Sequence, residues 1–276
     1  MTTTITCEPL AATVGAEVRG LDAAQLACDD AIAEAIAGAL ELYGVLVFRG
    51  LRLHPEDQVA FGRRLGEIDY EPGHHPVPGI YRVTLDKSKN ASADYLKATF
   101  QWHMDGCTPL HGEPPQKATI LSAREVAAVG GETEFASTYA GYQALSDEEK
   151  QQLGSLRVVH TLEASQRSVT PDPTPQQLER WRNRPASTHP LVWTHRSGRR
   201  SLVIGIHASH VVDMDLDEGR GLLRELLDQT TAPSRASRPA SRPRTSAPTV
   251  AARGSQVIVV MARAPGSGRS RRFRRR

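Results

Sequence analysis

The sequence predicts an α+β domain, mainly β, in which helices flank short strands. Two observations point that way. The apolar runs are brief: the longest, around Gly44–Phe48 and Val257–Met261, have strand length and fall well short of the ~20 residues of a membrane span. Other segments, such as Asp29–Leu42 and Asp217–Leu227, repeat apolar residues at helical spacing. At 276 residues the chain can bury one large core or two small ones.

In chain order, Asp29–Leu42 sets Ile32, Ile36 and Leu40 on one helical face, and Gly44 suits the C-terminal cap. Val45–Phe48 reads as a buried strand. Pro55 can open a second helix that runs to Leu65 and stops at Gly66. Tyr81–Leu85 and Ala118–Leu121 are strand candidates, and Gly130-Gly131 turns the chain into Thr133–Phe135. Ser146-Asp-Glu-Glu149 is a capping box that starts a short helix. Ser165–Thr188 is rich in Pro, Arg, Gln and Ser without an apolar period. It reads as a long mobile insertion, either a lid over a site or a surface excursion. Leu191–Trp193 and Leu202–Ile206 are strands, and Asp217–Leu227 is a helix with Leu222, Leu223, Leu226 and Leu227 on its buried side.

The charge is unevenly distributed. Residues 233–276 hold 12 Arg and no Lys, Asp, Glu or His. That leaves 22 basic against 31 acidic residues in 1–232, an acidic body of −9 joined to an Arg tail. Ala, Arg, Pro, Ser and Gly make up 34 of these 44 residues, too little apolar surface to offset chain entropy, so disorder is expected. Only Gln256–Met261 could form a strand there. Met1–Ile5 lacks the layout of a signal peptide, and Cys7, Cys28 and Cys107 are odd in number without metal-ligand spacing. Both features suit a reducing cytoplasm. Cys107 reads as a small packed residue.

Three His-x-acid pairs are candidates for metal chemistry: His54-Pro-Glu56, His103-Met-Asp105 and His111-Gly-Glu113. The first sits at a helix start, where Glu56 favours the helix dipole. The third lies in a Pro/Gly loop. Only the middle pair has strand-like flanks, Ala98–Trp102, and on a strand residues two apart share a face. One His and one carboxylate are two thirds of the 2-His-1-carboxylate face of non-haem Fe(II) oxygenases. Spacing alone is weak evidence, and a chance pair is the competing reading.

Further segments stand in order around that pair: Glu113-Pro-Pro115, Ala118-Thr-Ile-Leu-Ser-Ala123 and Gly130-Gly-Glu-Thr-Glu-Phe135, with Tyr43-Gly-Val-Leu-Val-Phe48 and Phe61-Gly-Arg-Arg-Leu-Gly66 upstream. Tyr142-Gln-Ala-Leu-Ser146 and His195-Arg-Ser-Gly-Arg-Arg-Ser-Leu202 follow downstream. Together they resemble the taurine/2,4-dichlorophenoxyacetate (TauD/TfdA) family of Fe(II)- and 2-oxoglutarate-dependent dioxygenases, over residues 8–232. The resemblance implies a double-stranded β-helix, or jelly-roll, core. It implies His103 and Asp105 as iron ligands and Thr133 as a contact of the 2-oxoglutarate carboxylate. By the same resemblance His75 is a substrate-anion contact, with a surface loop histidine as the alternative. No catalytic residue beyond the metal ligands is implied. His207 resembles a segment near the pocket, where a packed histidine is the expected role. The implied reaction consumes O₂, decarboxylates 2-oxoglutarate to succinate and hydroxylates a small organic anion of sulfonate, alkyl sulfate or aryloxyalkanoate type.

Relatives supply the second iron His, and an Arg for the distal carboxylate of 2-oxoglutarate, from a downstream segment that should fall near residues 245–270. No His is present there, and the Arg residues follow no matching motif. Residues 1–232 are therefore expected to form an incomplete domain of this family, and 233–276 a non-homologous tail. The tail reads as an out-of-frame translation of a GC-rich gene, with genuine divergence as the alternative. Loss of the last strands would leave an open sheet edge prone to self-association. No other His is expected to replace the missing ligand. Two functional readings follow: a dioxygenase, or an inactive remnant of one. A third reading, an Arg-tail binder of nucleic acid or acidic membranes, ranks last because only Phe273 is interleaved as an aromatic, so neither specific nucleic acid nor membrane is expected as a partner.

Overall fold

The computed structural model describes residues 4–68, 75–109, 118–125, 133–232, 236–237 and 257–262. In chain order the elements begin with β1 (Thr6–Pro9), β2 (Ala16–Arg19), α1 (Ala23–Cys28), α2 (Asp30–Tyr43), β3 (Val45–Arg49) and α3 (Pro55–Leu65). A 3-10 turn at Tyr95–Phe100 leads on to β4 (Ala118–Ser122), β5 (Phe135–Ala136), α4 (Thr138–Gln143) and α5 (Asp147–Leu153). Next come β6 (Arg157–His160), α6 (Leu162–Arg167), α7 (Pro175–Arg182), β7 (Ser187–Pro190), β8 (Val192–Thr194) and β9 (Arg200–Leu202). β10 (Ala208–Val211), α8 (Leu216–Thr231), β11 (Ala236–Ser237) and β12 (Val257–Ala262) complete the order, a mixed α+β set.

The chain divides into two units, one of Met1–Lys97, Ala118–Ala140 and Asp228–Ala262, the other of Ala98–Lys117, Gly141–Leu227 and Arg263–Arg276. The first unit is built on a five-stranded sheet ordered β1-β2-β3-β12-β4. Its central strand explains the unbroken Val-Leu-Val-Phe run. Leu46 and Phe48 face Ile32, Ile36 and Leu40 of α2 and Phe61 of α3, whereas Val45 and Val47 pack with Val14 and Phe135 on the opposite face. Asp29 caps α2 by accepting hydrogen bonds from the amides of Ala31 and Ile32, and Gly44, at φ 72°, ends it.

The tail behaves differently from expectation where it is described. Val257–Ala262 is a strand, as the composition allowed, and it is hydrogen-bonded antiparallel to both β3 and β4. Val259 stands opposite Val47 on one side and Leu121 on the other. An open sheet edge was expected from loss of the last strands; β12 instead lies hydrogen-bonded between β3 and β4. β11 likewise pairs with β5.

The second unit holds a three-stranded sheet, β10-β6-β7, and the β8–β9 hairpin. Tyr142, Leu145, Val158, Leu191, Leu202, Ile204 and Val211 form its core with Leu223 and Leu226 of α8. Ser146 caps α5 in the capping box that its sequence signals.

Four sequence expectations fail here in whole or in part. Tyr81–Leu85 is not a strand: Val83 and Leu85 are exposed, and the Asn90 side chain, rather than a neighbouring strand, donates to the carbonyl of Arg82 at 2.9 Å. Ser165–Thr188 is not structureless, because α7 lies within it, started by a capping box between Thr174 and Gln177 and anchored by buried Trp181. Ala98–Trp102 is no strand either, since the 3-10 turn ends at Phe100 and the chain runs irregularly through His103 into a turn at Asp105. Leu202–Ile206 is strand only at its start, in β9.

Candidate metal site

His103 and Asp105 do converge, though by a turn and not by the pleat of a strand. The His103 ring offers Nδ1–H to the carbonyl of Gln101 at 2.8 Å, which leaves the Nε2 lone pair outward. That Nε2 lies 3.3 Å from Oδ1 of Asp105, and both side chains are only partly buried. Two ligands each at roughly 2.1 Å from one octahedral ion would stand about 3 Å apart, so the pair fits a shared metal. A ring whose other nitrogen is bound to a carbonyl is the usual arrangement of a metal-ligating histidine.

The segment 102–104 is fixed by a downstream backbone. The amide of Ile206 donates to the carbonyl of Trp102 at 3.0 Å. Gly205, at φ 148°, passes so near that a Cβ on it would meet the Met104 amide nitrogen and the Trp102 carbonyl oxygen at 3.3 Å each. Only glycine combines that dihedral with that approach.

His207 follows directly. Its carbonyl accepts from the amide of Thr161 at 2.9 Å, and its Nδ1 is buried without a protein partner. Burial holds its pKa down to about 4, a shift reinforced by His103 and Arg184 and opposed by Asp105. His207 is therefore neutral at pH 7 and within electrostatic reach of both members of the pair. Among the described residues, however, no group of three or more His, Cys, Asp or Glu is arranged to hold a metal ion. Among the described residues the candidate site therefore offers two ligands, His103 and Asp105.

His75, Thr133 and His54 lie in the first unit. His75 sits in a loop, where its Nδ1 accepts from the amide of Val77 at 3.0 Å, a local turn contact. Thr133 is exposed just ahead of β5. His54 is the N-cap of α3, with Glu56 in its first turn, which supports the plain helix-start reading. His111-Gly-Glu113 lies outside the described residues. Cys107 is buried. Gly205 is not among the residues that the sequence singles out, its only signal there being a lone glycine inside an apolar run.

The sequence profile of the taurine catabolism dioxygenase TauD, TfdA family matches residues 6–239. The chain belongs to the TauD/TfdA family. Within it, the chain is 33% identical over 239 residues to an (S)-phenoxypropionate/alpha-ketoglutarate-dioxygenase of Sphingobium herbicidovorans, covering 82% of this chain and 79% of that protein. It is 33% identical over 231 residues to an alpha-ketoglutarate-dependent sulfate ester dioxygenase of Pseudomonas putida, covering 81% of this chain and 73% of that one. A solved structure, AAD-2 in complex with Mn(II) and N-oxalylglycine, shares the fold at a TM-score of 0.72 and 26% identity, over 95% of this chain and 89% of the other. The TauD/TfdA match stops at residue 239, and residues 233–276 contain no His, Asp, Glu or Cys that could join His103 and Asp105.

Proposed function

We propose that this TauD/TfdA chain is an Fe(II)- and 2-oxoglutarate-dependent dioxygenase whose substrate is a small organic anion of sulfonate, alkyl sulfate or aryloxyalkanoate type. The observation that carries this reading is the 3.3 Å approach of His103 Nε2 to Asp105 Oδ1, with the imidazole oriented through Nδ1 by Gln101. Fe(II) with 2-oxoglutarate and O₂ would supply the oxidising equivalent for hydroxylating an unactivated C–H bond. Mn(II) and N-oxalylglycine in the solved relative are chemical stand-ins for that pair. His103 and Asp105 would hold the metal from one side and leave the remaining positions for cosubstrate and oxygen. Thr133 would meet a 2-oxoglutarate carboxylate, and His75 the anionic group of the substrate. The fold is read as a double-stranded β-helix, incomplete on its C-terminal side. Ferrous chemistry suits a reducing compartment such as the cytoplasm, and among the described residues no helix is long and apolar enough to cross a membrane.

A second reading, an inactive remnant, is favoured by one specific observation: the missing third ligand has no candidate anywhere in residues 233–276. Succinate formation from 2-oxoglutarate with Fe(II) and ascorbate separates the two. Turnover by the 276-residue chain that is abolished in His103→Ala supports the enzyme. Succinate at the level of the His103→Ala protein across a panel of these anions supports the remnant.

A further inference from the structure

We infer that Arg184 and His189 are positioning residues that hold Asp105 in its metal-binding geometry. The inference rests on the reading of His103 and Asp105 as metal ligands.

Immediately after Asp105 the chain turns at Gly106, at φ 73°, and then buries Cys107 and Thr108. Buried, irregular backbone must find hydrogen-bond donors from elsewhere. Here two carbonyls in succession are taken by side chains about 80 residues downstream. Nε2–H of His189, on β7, donates to the carbonyl of Cys107 at 2.9 Å. Nε–H of Arg184, on the connection from α7 to β7, donates to the carbonyl of Thr108 at 3.0 Å. The His189 ring is itself held: His160, fully buried on the neighbouring strand β6, meets it edge-to-face at 5.2 Å between centroids.

The consequence concerns geometry and not only stability. The Gln101 carbonyl orients the His103 ring and the Ile206 amide holds the Trp102 carbonyl, while Arg184 and His189 act on the C-terminal side of Asp105. Loss of the two donors loosens the turn at Gly106 and lets the carboxylate shift relative to His103 Nε2. Groups that orient ligands in this way typically change metal affinity by about 10–100-fold. A merely structural contact would lower the melting temperature and leave the affinity of the folded protein unchanged.

The test is Mn(II) binding to the folded full-length chain, followed by calorimetry, in wild type, His103→Ala, Arg184→Met, His189→Leu and His189→Gln. Glutamine can present its amide N–H near the position of the imidazole Nε2, so it restores the donor without the ring. The expected result is a loss of roughly tenfold or more in affinity for Arg184→Met and His189→Leu, with His189→Gln close to wild type. Hydrogen exchange in the peptide spanning residues 103–109 should quicken in Arg184→Met, a half-buried position at which the chain is expected to fold. Wild-type affinity and exchange in Arg184→Met and His189→Leu, with binding lost in His103→Ala, would overturn the positioning role and leave the metal reading intact. Wild type binding no more tightly than His103→Ala would overturn both.

Discussion

Gly205 passes so close to His103 that a Cβ on the glycine would lie 3.2 Å from the His103 Cα, at a φ of 148° that other residues rarely adopt. The His103–Asp105 segment is thus seated on a backbone approach from the β9–β10 connection, about a hundred residues away. Gly205→Ala should cost about 1–3 kcal/mol of stability through dihedral strain and displacement of residues 102–104. It should also weaken Mn(II) binding. Chemical denaturation and calorimetry on the same variant check both, and a variant with unchanged stability and affinity would show that the approach is not a constraint.

How much of this was visible in the sequence depends on the range of the contact. The convergence of His103 and Asp105 was legible because residues separated by one position form a local pattern, even though the geometry is a turn where a strand was expected. α3 and α5 were legible from Pro55 and the Ser146–Glu149 box, which act within one helical turn. The box at Thr174–Gln177 was equally local, but Leu178 and Trp181 are too few apolar residues to reveal a period, and α7 was read as loop. The partners of the His103–Asp105 turn left no signal of their pairing, and Gly205 stood out only as a lone glycine in an apolar run. Gly205, Arg184 and His189 lie roughly 80–100 residues from the segment they fix, and nothing in a single sequence couples positions that far apart.

The stability of the second unit should depend on pH through His160. Burial, with smaller contributions from His189 and His207, holds its pKa down to about 3. A histidine depressed in the folded state takes up its proton more readily when unfolded. The stability it contributes is therefore complete above about pH 6.5 and is lost as pH falls toward 3. In His160→Leu the acid dependence of denaturation should flatten, by up to about 1.4 kcal/mol per pH unit over that window. Near pH 7.5 the same substitution should cost little, because neither ring nitrogen has a protein partner to lose. An acid dependence identical to wild type would contradict this assignment.

The strand in the tail carries a separate prediction. Val259 pairs across β12 with both Val47 and Leu121, so a proline there removes a ladder donor in the interior of a sheet. Val259→Pro should destabilise the first unit by about 3 kcal/mol or more, and a chain ending at residue 239 should self-associate through the uncovered β3 and β4. Size-exclusion chromatography and thermal denaturation test this. A truncated chain that matches the full chain in both would show that the tail contributes no strand in solution.

Helix α7 offers a smaller test. The Thr174 hydroxyl accepts from the amide of Gln177 at 3.2 Å, and the Gln177 side chain accepts from the amide of Thr174 at 2.8 Å. Thr174→Ala should cost about 1 kcal/mol in urea denaturation, whereas Thr174→Ser should be near neutral.

His103 and Asp105 are expected to bind one metal ion between them. The most direct measurement is Mn(II) titration of the purified chain under anaerobic, chelator-free conditions, beside Asp105→Ala and Asp105→Glu. One equivalent bound by wild type, lost on removal of the carboxylate and altered when it is lengthened by a methylene, is the predicted result. Equal binding by wild type and Asp105→Ala would contradict the site.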